Sequence, residues 1–196
     1  MSAPSVPVLA AAAQEVFRVL RLAEVPACLI GGLAVHRWAE PRATADVDLT
    51  VLAPYGEEAK VLDALLGRFE AREEDARAFA LTHRVLLIRS TAGPSIDVAL
   101  AAFPFELEVI ERSSDWEMLP GVILRTCSAE DLIIYKLVAA RLQDLADVDS
   151  IVRRQRAGLQ VDRIREWGLT FAELKEDPDL LRPFEAALRK HTRSGP

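Results

Sequence analysis

Two glycines, followed after a fixed gap by two aspartates, are the residues best equipped for chemistry. Ile30-Gly31-Gly32 is followed by thirteen residues and then Asp46-Val47-Asp48-Leu49. A glycine pair lets a strand turn sharply and leaves room for close approach by a ligand. A helix starting at that turn offers unpaired N–H groups to phosphate oxygens. Asp-x-Asp at the head of a strand sets both carboxylates on one face, because strand side chains alternate. Such a pair repels itself unless a cation lies between them. Mg²⁺ is a hard ion that takes carboxylates together with substrate phosphates. A metal and a phosphate cradle on neighbouring elements are what phosphoryl or nucleotidyl transfer requires. Asp97, in Ser95-Ile96-Asp97-Val98-Ala99-Leu100, is the candidate third carboxylate of a two-metal site. Its strand is expected beside the Asp46–Asp48 strand, with Ile96 and Val98 toward the core.

The elements that must position these groups follow from hydrophobic spacing. Leu9, Ala13, Val16 and Leu20 recur at helical intervals, which predicts a helix over Val6 to Ala23. Ala27 to Ile30 is a short apolar run ending in Gly-Gly and reads as a buried strand. Leu33 to Glu40 is expected to make two helical turns before Pro41, and Val47 to Leu52 a second strand. Glu57 to Phe69 reads as a helix, with Val61, Leu62, Leu65, Leu66 and Phe69 on one face. Val85 to Ile88 and Ile96 to Leu100 flank Thr91-Ala92-Gly93-Pro94 and read as a hairpin with a longer loop. Pro104 to Arg112 is expected as a short helix and Val122 to Thr126 as a last strand. Ser128-Ala129-Glu130-Asp131 has the form of a capping box and opens a helical stretch reaching about Lys190. The expected class is α+β: a small mixed sheet flanked by helices over residues 1–126, then a helical region over 127–196.

Composition bounds the rest. The 196 residues are 51% apolar and 28% charged, an ordinary globular balance that excludes long disorder. A net charge of −6 excludes broad phosphate-backbone binding by the chain as a whole. Arg153, Arg154, Arg156, Arg163 and Arg165 crowd together but read as a solvated helix face. Cys28 and Cys127 form no metal-ligand motif, so a zinc site is not expected. Two isolated cysteines, with no signal peptide and no run long enough for a membrane span, point to a reducing, cytoplasmic setting.

Gly31-Gly32 and Asp46-x-Asp48, joined by Arg42-x-Thr44 and the Ile-Asp-Val strand around Asp97, resemble the nucleotidyltransferase superfamily of DNA polymerase β. The stretch Asp131-Leu132-Ile133-Ile134-Tyr135-Lys136-Leu137, continuing to Arg141, Asp144, Asp147 and Val148, resembles the AbiEii-like toxin nucleotidyltransferases. The resemblance covers about Ala27 to Val152. It implies a sheet of that fold, two Mg²⁺ held by Asp46, Asp48 and Asp97, and an NTP such as ATP as donor. Gly31, Gly32, Arg42, Thr44 and Lys136 would then contact the nucleotide, with Asp144 and Asp147 facing the site or its edge. The acceptor would be an RNA, with an antitoxin protein as partner, or a small molecule as in antibiotic nucleotidyltransferases. A non-catalytic nucleotide-binding module is the remaining class.

Each assignment has a structural alternative. Asp46 and Asp48 would also serve as a solvated turn and strand start. Asp97 would also sit opposite Arg84 or Arg89, and Arg42 would pair with Glu40. Lys136 would also snorkel, while Asp144 and Asp147 would pair with Arg141. His36, His83 and His191 have no ligand spacing, and Trp38 and Trp167 read as packing residues.

Overall fold

A computed structural model describes residues 4–192 of the chain. These residues divide into two compact units. The first comprises residues up to Leu33 and Ala43–Cys127, and the second Ala34–Arg42 and the residues from Ser128.

The first unit is built on a seven-stranded mixed sheet. The strands are β1 (Ala27–Leu29), β2 (Asp46–Leu52), β3 (Glu70–Ala71), β4 (Val85–Arg89), β5 (Ser95–Ala101), β6 (Ser114–Leu119) and β7 (Val122–Thr126), in the order β3-β4-β5-β2-β1-β7-β6. β2 runs parallel to β5 and antiparallel to β1, while β4 and β5 form the expected hairpin. Alternation divides this sheet cleanly. Val47, Leu49, Val51, Ile96, Val98, Leu100, Leu86 and Ile88 are sealed in the core. They join one apolar cluster with Leu9, Val16 and Leu20 of α1 (Val6–Leu22) and Val61, Leu62 and Leu65 of α3 (Ala59–Leu66). Asp46, Asp48, Ser95, Asp97 and Leu87 therefore point the other way, and all are partly exposed.

Three elements go beyond the predicted set. α4 (Ala76–His83) opens on Asp75, whose carboxylate accepts the Ala78 N–H at 3.1 Å. It closes on Arg84 in the left-handed region, at φ 56°. β3 and β6 are edge strands with no fully buried side chain; β3 is too short to show a period, whereas β6 alternates over Asp115-Trp116-Glu117-Met118, with Met118 packed against the core. α5 (Pro104–Arg112) lies where expected and packs on β2 and β1.

α2 (Gly31–Trp38) starts two residues earlier than predicted, at the glycines themselves. Its last turns belong to the second unit, with α6 (Ala129–Ala139), α7 (Leu142–Gln155), α8 (Val161–Leu174) and α9 (Arg182–Thr192). Ser128 caps α6 as its sequence implies: its Oγ accepts the Asp131 N–H at 3.1 Å. Among the described residues, no helix is long and apolar enough to cross a membrane.

Candidate active site

The register of the sheet assembles the three aspartates. β2 and β5 pair so that Asp48 stands opposite Asp97 and Asp46 opposite Ser95. Asp48 and Asp97 therefore project from the same face of adjacent strands, with backbones about 4.8 Å apart, and Asp46 lies one step along that face. Carboxylates at roughly 5 Å repel by about 3 kcal/mol at an effective dielectric near 20. Asp46 registers this: burial first, and then the charge of Asp97, push its carboxyl above the ordinary range, with Arg72 acting in the opposite direction.

Gly31 and Gly32 are shaped to that cluster. Gly31 has φ +62°, and a Cβ there would lie 2.0 Å from Asp48 Oδ2. A Cβ on Gly32 would lie 2.3 Å from Thr44 Oγ1. The Gly32 N–H, among the first of α2, donates to Asp48 Oδ2 at 3.2 Å. The bare turn thus admits the Asp48 carboxylate and the Thr44 hydroxyl against the backbone. The helix start holds an anion already, and that anion is Asp48.

Arg72 is a site residue that the sequence reading did not single out. Its guanidinium forms an ion pair with Asp97. Neither arginine named as an alternative partner for Asp97 does so. Arg84 is spent on Glu58 and on the carbonyls of Ala53 and Leu100, and Arg89 reaches the Gly93 carbonyl at 3.3 Å. The missing signal was the two-residue strand β3, too short to show a period.

The donor set suits a hard divalent cation, since Asp46, Asp48 and Asp97 offer only carboxylate oxygens. Their side chains do not form a closed cage. Among the described residues no group of three or more His, Cys, Asp or Glu side chains converges as a metal site requires. Asp97 is turned onto Arg72, and Asp48 onto the Gly32 amide.

The other predicted residues meet in the second unit. Lys136 is 4% exposed, and its ammonium binds Asp144 at 2.8 Å and Asp147 at 2.9 Å. Arg42 grips Asp147 with two hydrogen bonds of 2.7 Å, while Glu40 pairs with Arg153 at 2.9 Å. Arg141 closes on Asp144 at 2.6 Å. Burial acts to raise both aspartates, but the hydrogen bonds from Arg141 and Lys136 to Asp144, and from Arg42 and Lys136 to Asp147, outweigh it. Both carboxyls are held below the ordinary range. His36 Nε2 lies 2.8 Å from the Arg42 carbonyl, a local tie on the same segment.

No family model and no curated protein sequence matches the chain. Solved structures do resemble it. An antigenic nucleotidyltransferase-like protein from Paracoccidioides brasiliensis matches with a TM-score of 0.52 and 15% identity, over 94% of this chain and 95% of its own. The antibiotic-resistance factor ANT(2'')-Ia, in its solution structure, matches with a TM-score of 0.54 and 15% identity, over 95% and 97% of the two chains. ANT(2'')-Ia in complex with adenylyl-2''-tobramycin matches with a TM-score of 0.54 and 13% identity, over 85% and 98%. At such identities the likeness is one of fold: the chain has a nucleotidyltransferase-like fold.

Proposed function

We propose that the carboxylate face of the first unit carries metal-dependent transfer of a nucleoside monophosphate from an NTP to an acceptor hydroxyl, with pyrophosphate leaving. The observation that supports this most is the register setting Asp48 opposite Asp97, with Asp46 on the same face. Asp46 and Asp48 would hold Mg²⁺, with Asp97 sharing one ion. Bound there, the metal supplies Lewis acidity and neutralises charge on the phosphoryl oxygens. Asp97 orients the acceptor hydroxyl and accepts its proton at a carboxylate oxygen. Gly31, Gly32 and Thr44 line the approach of the donor phosphates. Arg42, Lys136, Asp144 and Asp147 receive a stabilising role in place of phosphate contact, because their charges already satisfy one another.

For the acceptor we favour a small-molecule hydroxyl. The net charge of −6 disfavours a polyanion. ANT(2'')-Ia, which the chain matches along nearly its whole length, has been solved with an adenylylated tobramycin. The stretch from Asp131 to Val148 favours a second reading, a toxin modifying RNA and restrained by an antitoxin. The experiment is label transfer from each of the four α-labelled NTPs, with Mg²⁺, into an aminoglycoside panel and into total RNA, with Asp48→Ala in parallel. Transfer undiminished by Asp48→Ala would sink the proposal. Labelled RNA, with growth arrest on expression, would replace the small-molecule acceptor. Saturable ATP binding with no transfer would favour a nucleotide-binding module.

A further inference from the structure

Four strands cross the sheet on one line. Ala71 of β3 pairs with Ile88 of β4, and the Arg72 N–H donates to the Leu87 carbonyl at 2.9 Å. Leu87 pairs with Asp97, and Asp97 with Asp48. Residues in register share a face, so Arg72 lies on the carboxylate face, two strands from Asp97 and roughly 10 Å away along the backbone. Only a long side chain closes that gap, and the guanidinium of Arg72 does so by pairing with Asp97. Arg89 stands on the same face one step further along, opposite Ser95, and leaves Asp97 alone.

We propose that Arg72 is the built-in counter-ion of this face, a positioning residue that a divalent cation must displace from Asp97 before the carboxylates can share it. The inference rests on the metal-dependent reading above. It follows from charge: Asp46, Asp48 and Asp97 share one face, and one guanidinium offsets their repulsion until a metal does so. Metal and arginine compete for the same carboxylate, so Arg72 weakens cation binding and makes it a threshold event. Both partners are partly exposed, at 27% and 36% for the side chains. Water screens such a pair, and the competition is therefore modest, roughly two- to fivefold in affinity.

The test is Mn²⁺ binding to the full chain without nucleotide, read from the electron paramagnetic resonance signal of the free ion. Arg72→Gln keeps the bulk and removes the charge. It is expected to bind Mn²⁺ roughly two- to fivefold more tightly than wild type, and the gain should vanish in an Asp97→Asn background. Arg89→Gln removes a charge from the same face without freeing Asp97, and should change affinity less than twofold (about the noise of such a pair). Unchanged or weaker binding in Arg72→Gln, or an equal gain in Arg89→Gln, would overturn the counter-ion role while leaving the transfer reaction standing. Saturable Mn²⁺ binding in none of the folded variants, wild type included, would remove the metal reading and this inference together. Far-ultraviolet circular dichroism on each variant confirms that the comparison is between folded chains.

Discussion

The molecule holds two clusters of opposite charge, one in each unit, and they are built on contrary terms. In the first, Asp46, Asp48 and Asp97 share a half-open sheet face with Arg72 as their near cation, and Asp46 is pushed up. In the second, Asp144 and Asp147 are buried among Arg42, Lys136 and Arg141, and both are pulled down. The first is short of positive charge and accessible, which is what a site awaiting a cation needs. The second is satisfied within itself, with both carboxylates and Lys136 buried, which is what a structural network needs. Acids and bases at suggestive spacing therefore say little until burial and pairing are known.

The largest expected effect breaks the open cluster. Asp48→Ala should lower nucleotidyl transfer by about 10³-fold, the rate equivalent of the several kcal/mol a bound metal supplies. Its melting temperature should hold within a few degrees. Equal loss of activity and fold would erase the distinction between the clusters. In the second cluster, Asp147→Ala should instead cost stability, about 3–5 kcal/mol, because it leaves Lys136 and Arg42 without a shared partner. Urea denaturation reads this directly, and a cost below about 1 kcal/mol would place Asp147 among ordinary surface charges.

Gly31→Ala should fall between the two. A non-glycine residue at φ +62° costs about 1–2 kcal/mol. The added Cβ also expels Asp48, so transfer activity should drop alongside stability. Gly32→Ala meets Thr44 first, and Thr44→Gly in the same chain should restore much of what it loses.

Acidity offers a finer contrast. Asp144 and Asp147 are lowered in the folded chain, so their stabilisation is complete above the ordinary carboxylate value, about 3.9, and is lost as pH falls below it. Asp147→Asn should flatten the stability profile below about pH 4. Asp46 is raised, so its ionisation costs stability as pH climbs from the ordinary value through the folded one. Asp46→Asn should therefore raise the melting temperature at neutral pH while abolishing activity. A fall in that temperature would mean that Asp46 is a stabilising group.

Much of the first cluster was legible beforehand. Gly31-Gly32 and Asp46-x-Asp48 fix a turn and a shared face by local rules, and Ile96-Asp97-Val98 shows the alternation that aims Asp97 away from the core. Arg72 was not legible, because its partner lies 25 residues on and the strand it follows is only two residues long. β6 left only a short mark, the alternation Asp115-Trp116-Glu117-Met118, in an edge strand that packs Met118 on the core but fully buries no side chain. α4 did leave a mark, the capping Asp75, ahead of a helix too short and too polar for spacing to announce it. The pairing of Arg42 with Asp147 spans 105 residues and could be read only from the fold.

By itself, then, the sequence determined the local grammar: where strands alternate, where a turn needs glycine, and which acids share a side. These depend on the few residues to either side and on the two periods of regular structure. The tertiary structure alone decided which charges meet. Asp48 stands opposite Asp97 because β2 and β5 pair in one register, and Lys136 is buried because α6 packs on α7, where its carboxylate partners lie. Burial and long-range pairing set the sign of each acid's shift, and neither is a property of any short stretch of chain.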